Sequence, residues 1–303
     1  MRLPPAAQER EEDSGMDPIT VAVERGGVVE SRHRVHAVRV EGGKVVEAWG
    51  DPELVTFMRS SAKPLQALPL VRVYESLSDD EVAIACASHG AAPEQLEAVK
   101  LLLARSWSSE DDLECGPVDG SRLRHNCSGK HAGMLAVCAA RGWPRVGYRL
   151  QDHPLQKEIA ALVAEAAGAK KALPTAIDGC GVVTFALPLA DMAKAFGRLA
   201  LGDLEGADRI VAAMVAKPEL IEGPGRTTTE LMKELPGVIA KGGAEGLLCV
   251  GYRDGVGFAL KCEDGASRSL GPAASLLLGV AALAETPIEN SRGDVVGRVV
   301  AQA

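Results

Sequence analysis

"ITVAVERGGVVESRHRVHAVRVEGGKVVEAWG", residues 19–50, alternates apolar and polar side chains and carries glycine pairs at 26–27 and 42–43. Period-two alternation broken by turn residues predicts antiparallel strands joined by tight hairpins. The pattern returns in "GVIAKGGAEGLLCVGYRDGVGFALKCEDGA", residues 237–266. Between these stretches the apolar period becomes helical: "PEQLEAVKLLLARSW" (93–107), "GKHAGMLAVCAARGW" (129–143), "HPLQKEIAALVAEAAG" (153–168) and "LPLADMAKAFGRLAL" (187–201). A last helix, "SLLLGVAALAE" (275–285), is expected to close the chain. The expected fold is therefore mixed α/β, of the α+β kind. Residues 17–75 and 236–303 supply one antiparallel sheet with flanking helices, and residues 76–235 supply a mainly helical lobe. Residues 17–303 form a single domain behind a loose tail, 1–16, with the site in the cleft between sheet and lobe.

The composition narrows the partners. The 303 residues carry a net charge of −8, which leaves no basic stripe to displace counterions from nucleic acid. Aromatic residues make up only 3%, so Ala, Val and Leu must fill the core. The N-terminal "MRLPPAAQEREEDSGMD" has no apolar segment of the secretory kind, and "AASLLLGVAALA" is too short to span a bilayer. Seven scattered cysteines do not make a disulfide framework. A cytoplasmic protein with reduced thiols and no membrane partner is expected.

The chemistry starts at "FMRSSAKPLQALPL", residues 57–70, where polar residues open an otherwise apolar helix. Residues at i and i+3 share a helical face, so Ser60 faces Lys63 while Ser61 turns away. In a Ser-x-x-Lys pair a neutral amine takes the proton of a serine attacking an acyl carbon. The plainer reading makes Ser60 a helix cap and Lys63 a solvated cation. Four further clusters of small and polar residues stand at element boundaries: "CASHGAAPEQ" (86–95), "RHNCSGKHAGML" (124–135), "IDGCGVVTFALPL" (177–189) and "AKGGAEG" (240–246). The third reads as a helix entrance. Such boundaries leave backbone N–H groups free to bind an anion. Cys127 and Cys180, in glycine-rich loops, are better metal-ligand candidates than Cys138 in its apolar helix; two free thiols are the alternative.

"RSSAKPLQALPL", "ACASHG", "HNCSGKHAGMLA", "DHPLQKEIAAL", "IDGCG", "KGGAEG" and "LKCEDGASR" resemble, in order from about residue 20 to 280, the bacterial asparaginase II family. That lineage is unrelated to the N-terminal-threonine and the other bacterial asparaginases. The resemblance implies a fold like that of serine β-lactamases, penicillin-binding proteins and glutaminases. It further implies hydrolysis of L-asparagine to aspartate and ammonia through a serine acyl-enzyme, by a homodimer. Ser60 would be the nucleophile, Lys63 its base, Ser88 a second serine, and Lys241 the second lysine, with Lys261 as rival. Arg59, His89, Asn126 and Lys261 would contact substrate, and Cys127, Lys130 and Cys180 would hold one zinc ion. Two places depart from the family's pattern: "GVVTF" follows Cys180 where a proline is expected, and "SHGAAPEQ" differs from "SHSGEPEH". Glutamine, another amide or β-lactam-like substrate, and a zinc-containing amide binder without turnover remain alternatives.

Overall fold

The computed structural model describes residues 16–302. Met16 is hydrogen-bonded to Ala48 and Gly50, and residues 1–15, most of the expected tail, lie outside the described residues. Strands β1 (Ile19–Arg25), β2 (Val28–Glu41) and β3 (Lys44–Trp49) form two successive hairpins. Both glycines of each turn have positive φ, 55° and 80° at Gly26 and Gly27, 56° and 77° at Gly42 and Gly43. Such turns match the twist of the flanking strands, and side chains with a Cβ resist them.

After β4 (Val55–Phe57) come a 3-10 turn (Arg59–Ala62) and two short helices, α1 (Lys63–Gln66) and α2 (Leu68–Val73). Helices α3 (Asp79–Cys86), α4 (Pro93–Ala104), α5 (Ser128–Arg141) and α6 (Pro154–Ala167) follow. Next are β5 (Thr175–Ile177), β6 (Val183–Pro188), α7 (Leu189–Leu201), α8 (Ala207–Ala216), α9 (Pro218–Ile221) and α10 (Thr227–Glu234). Strands β7 (Ile239–Gly243), β8 (Leu247–Gly251) and β9 (Gly257–Cys262) lead to α11 (Leu270–Leu278), β10 (Glu285–Glu289) and β11 (Val295–Gln302).

The main sheet runs β10-β11-β1-β2-β9-β8-β7, with β3 also paired to β2, and its ladders are antiparallel. The two chain ends thus join as expected, through β1–β11 and β2–β9.

Two expectations are corrected. The chain closes on strands: Gly279, at φ 73°, ends α11, and β10 and β11 complete the sheet edge. The segment 177–189 is no helix entrance, because Asp178–Cys180 sit in the turn between β5 and β6, and α7 begins only after Pro188. Residues 183–187 are buried throughout and rich in β-branched and aromatic side chains, which suits a covered strand. The mainly helical lobe 76–235 also carries two strands, β5 and β6, which join β4 in a second, three-stranded sheet.

Helix α7 lies on the main sheet with its backbone nearly touching β8 and β9. A Cβ at Gly257 would overlap the carbonyl oxygen of Ala193, and one at Gly251 that of Phe196. Phe196 of α7 and Phe185 of β6 are fully buried; each contributes about 1.5–3 kcal/mol by leaving water. Among the described residues, no helix is long and apolar enough to cross a membrane.

Candidate active site

Pro64 and Pro69 each fall in the first turn of a short helix, so the segment after β4 advances as a 3-10 turn and two helical stubs. In a 3-10 turn i and i+3 eclipse, which keeps Ser60 and Lys63 on one side. Arg59, just before Ser60, has φ 48°, a left-handed conformation costly for a residue with a Cβ. It is held by its N–H on Thr184 Oγ1 (3.1 Å) and by its Nε on Asp178 Oδ1 (2.6 Å). The guanidinium is thus engaged with a carboxylate of the β5–β6 turn.

Ser61 turns inward, donating to Met58 O (2.6 Å), and is buried. Ser60 is half-buried, and among the described residues its hydroxyl makes no hydrogen bond. Lys63 has no solvent exposure. Its Nζ does not meet Ser60 but lies within hydrogen-bond distance of Ala87 O (2.5 Å), Ser88 Oγ (3.0 Å) and Asn126 O (3.2 Å). Burial first, then the positive charges of Lys241 and Lys130, push this amine below its ordinary value, while Cys127 and Cys180 oppose them.

Ser88 follows α3, whose start is fixed by a reciprocal Ser78–Glu81 cap. Its N–H donates to Ile221 O (2.7 Å). His89 beside it is 2% exposed. Its Nδ1 accepts the Ala91 N–H (3.2 Å), so Nε2 carries the proton toward Ser128 Oγ (2.9 Å). Burial, then Lys63, push the imidazole down to about 4. With both nitrogens committed, His89 braces the loop rather than offering a donor to substrate. Asn126 meets Lys63 through its backbone carbonyl, and its side chain is exposed.

Helix α5 starts hard against α3: a Cβ at Gly129 would overlap the carbonyl oxygen of Ile84. That contact sets the depth of Cys127 and Lys130, each 4% exposed. Lys130 Nζ lies 3.1 Å from Cys180 Sγ. The two thiols also meet. A hydrogen bond from Cys180 holds Cys127 far below the ordinary thiol value despite its burial, and Cys180, the donor, is pushed up. Burial alone would push Lys130 down, but Cys127, Cys180 and Asp178 offset this and raise it. Two sulfurs and one nitrogen therefore converge, the Lys130 ammonium beside the two sulfurs, and the group becomes a cation site once Cys180 and Lys130 give up their protons. The donor set fits a zinc ion with one position left open. Another group, His33, Cys262 and Asp264, also brings metal-ligating atoms within 4.8 Å of one another. There Arg268 Nε donates to His33 Nε2 (2.9 Å), which puts the ring proton on Nδ1, facing Asp264 Oδ2 at 2.7 Å. That tautomer makes the group a hydrogen-bonded brace.

Lys241, on β7, is fully buried, and Lys63 feels its charge. Its Nζ donates to Glu222 Oε1 (2.7 Å) and Gly242 O (2.9 Å). Lys261 is not brought to this cluster. In the ladder it stands level with Gly243, two strands and two residues from Lys241, roughly 12 Å between Cα atoms at ordinary sheet spacings. Its ammonium donates to the carbonyl of Cys262. Of the predicted residues, then, Lys63, Ser88 and the Asn126 backbone meet directly, and Cys127, Lys130 and Cys180 form an adjoining group. Sequence reasoning missed Glu222 and Thr184. The one available signal was that a lysine within an apolar strand needs a counter-ion.

No curated protein matches the chain. Two solved structures of Mglu share the outline weakly. One, the native form in 4.3 M NaCl, shows 13% identity and a TM-score of 0.38 over 81% of this chain and 61% of its own. The other, a Tris and glutamate form, shows 14% and 0.37 over 88% and 64%. The chain spans less than two thirds of those proteins' length, and the likeness is too slight to carry an argument. The L-asparaginase II model matches residues 21–301, from β1 into β11, and by that match this chain belongs to the L-asparaginase II family.

Proposed function

We propose that the protein is an amidohydrolase that converts L-asparagine and water to L-aspartate and ammonia, on a serine β-lactamase-like fold. The observation that carries this is Lys63: a lysine with no exposure, its amine pushed down by burial and within 3.0 Å of a serine hydroxyl. Ser60 attacks the side-chain amide carbon as Lys63 takes its proton. That proton then passes, by way of the Ser88 hydroxyl, to the departing ammonia, leaving an acyl ester on Ser60. Water attacks the ester, Lys63 again takes a proton, and Ser60 recovers it as aspartate leaves. Catalytic hydrogen bonds commonly tighten only in the Michaelis complex, so the Ser60–Lys63 contact belongs to that step. Ser60 suits the nucleophile because its hydroxyl is uncommitted, whereas that of Ser61 is spent on Met58. Cys127, Lys130 and Cys180 would hold zinc. Bound there, zinc supplies fixed positive charge beside the Lys63 cluster.

The test is ammonia release from asparagine, with glutamine in parallel, for wild type, Ser60→Ala and Ser61→Ala. Ser60→Ala should lose activity by a factor of about 10⁴ or more, and Ser61→Ala should retain most of it. Equal losses would remove Ser60 from the role.

A further inference from the structure

Glu222 directly follows α9, as its C-cap, and the sequence gives it no apparent role. The structure gives it a deep one. Its side chain is 14% exposed and faces Lys241, which has no exposure at all, across 2.7 Å. Burial alone would push this carboxyl up; the charge and hydrogen bond of Lys241, the Thr228 hydroxyl and the charge of Arg226 bring it down. Thr228 Oγ1 also accepts the Gly242 N–H (3.1 Å), pinning the strand that carries Lys241. The preceding residue, Ile221, accepts the N–H of Ser88, so the carboxylate is tied through one peptide to the serine next to Lys63. Among the described residues, Lys63, Cys86 and Cys249 also feel the charge of Lys241; burial pushes both thiols up to about 12, so neither supplies it with a second anion.

We propose that Glu222 is a positioning residue that fixes Lys241 as a cation, so that Lys241 serves the site as a standing positive charge and Lys63 alone acts as the base. A buried carboxylate and a buried ammonium are each tolerable only with the other present. A lysine paired in this way has no free lone pair with which to take a proton from Ser88. Its charge still reaches Lys63 and favours the neutral amine there. The inference rests on the site reading above, but its first readout does not need turnover.

Lysine Nζ and Cε resonances distinguish ammonium from amine, and Lys241→Met assigns the Lys241 signal. In the wild type at neutral pH the signal should be that of an ammonium; an amine signal overturns the proposal without any variant. In Glu222→Gln the signal should become that of an amine, and in Glu222→Asp it should return to ammonium. Ammonia release should fall about 10- to 100-fold in kcat for Glu222→Gln, recover in Glu222→Asp, and fall no further when Lys241→Met is added to Glu222→Gln. An unchanged ammonium signal in Glu222→Gln, or a Glu222→Asp variant no better than the glutamine variant, refutes the assignment. If Glu222→Gln does not fold, the double variant, which leaves no charge unpaired, should fold where the single does not; failure of both makes the pair a structural prop and overturns the proposal. An ammonium in a wild type that hydrolyses no amide would fault the proposed reaction and leave the pairing intact.

Discussion

Zinc titrated into chelator-treated protein should displace two protons per ion bound at neutral pH. The count follows from the three donors. The hydrogen bond between the two thiols holds Cys127 far below the ordinary thiol value, so the pair is expected to share a single proton. Cys180 is pushed up by that same bond and by burial, and keeps its proton. Lys130 is raised by the sulfurs and Asp178 around it, against its burial, and stays an ammonium. Metal ligands must be deprotonated, so Cys180 and Lys130 each lose one proton on binding. Two protons make the apparent affinity rise about 100-fold per pH unit, or about 2.7 kcal/mol at 1.36 kcal/mol per proton. Calorimetric titration in buffers of different ionisation enthalpy reads the count directly, and competition with a chelator at several pH values reads the slope. Lys130→Met should lower the count to one and the slope to about tenfold per unit. A wild-type count of one or none, or a Lys130→Met variant with an unchanged count, would remove Lys130 from the ligand set.

Three further outcomes follow. His89 is depressed to about 4 in the fold, against 6.5 in the unfolded chain, so its contribution is fully present above pH 6.5 and is lost as pH falls toward 4. Urea unfolding should show up to about 3 kcal/mol of that loss, and His89→Gln should flatten it; a wild-type stability that stays level over this range contradicts the buried neutral ring. Ala91 holds φ 63°, so Ala91→Gly should stabilise by about 0.5–1 kcal/mol in the same assay, the relieved strain exceeding the entropy glycine adds to the unfolded chain; a destabilised variant would rule this out. Gly257→Ala should cost about 1–3 kcal/mol, because the new methyl meets the Ala193 carbonyl, and a neutral effect would mean that α7 can lift from the sheet freely.

How much of this was legible beforehand depended on distance along the chain. Alternation with paired glycines predicts β1–β3 and β7–β9 because side-chain direction and turn geometry are local properties. The stretch 183–187 misled because it is buried on both faces, and a short apolar run broken only by Thr184 has no clear period to separate strand from helix. The end of α11 was stepped over because a glycine is read as a stop only when the next element is known. At the site, the Ser60–Lys63 spacing was local and readable. That Lys63 bonds Ser88 and the Asn126 carbonyl, 25 and 63 residues away, was not. Glu222 meets Lys241 across 19 residues and a helix, and no spacing rule reaches that far. Choosing Lys241 over Lys261 likewise needed the register of three strands.

The β5–β6 turn holds Cys180 at its tip, while Asp178 and Thr184 on either side grip Arg59 in its left-handed conformation immediately before Ser60. For protein engineering, segments 57–61 and 178–184 are therefore a single part. A loop transplanted from a relative into one of them without the other would bring its own arginine angle to a foreign carboxylate, and Ser60, the proposed nucleophile, and the Cys180 sulfur would lose alignment together. Libraries aimed at new amide substrates should vary the two segments jointly and draw both from the same parent.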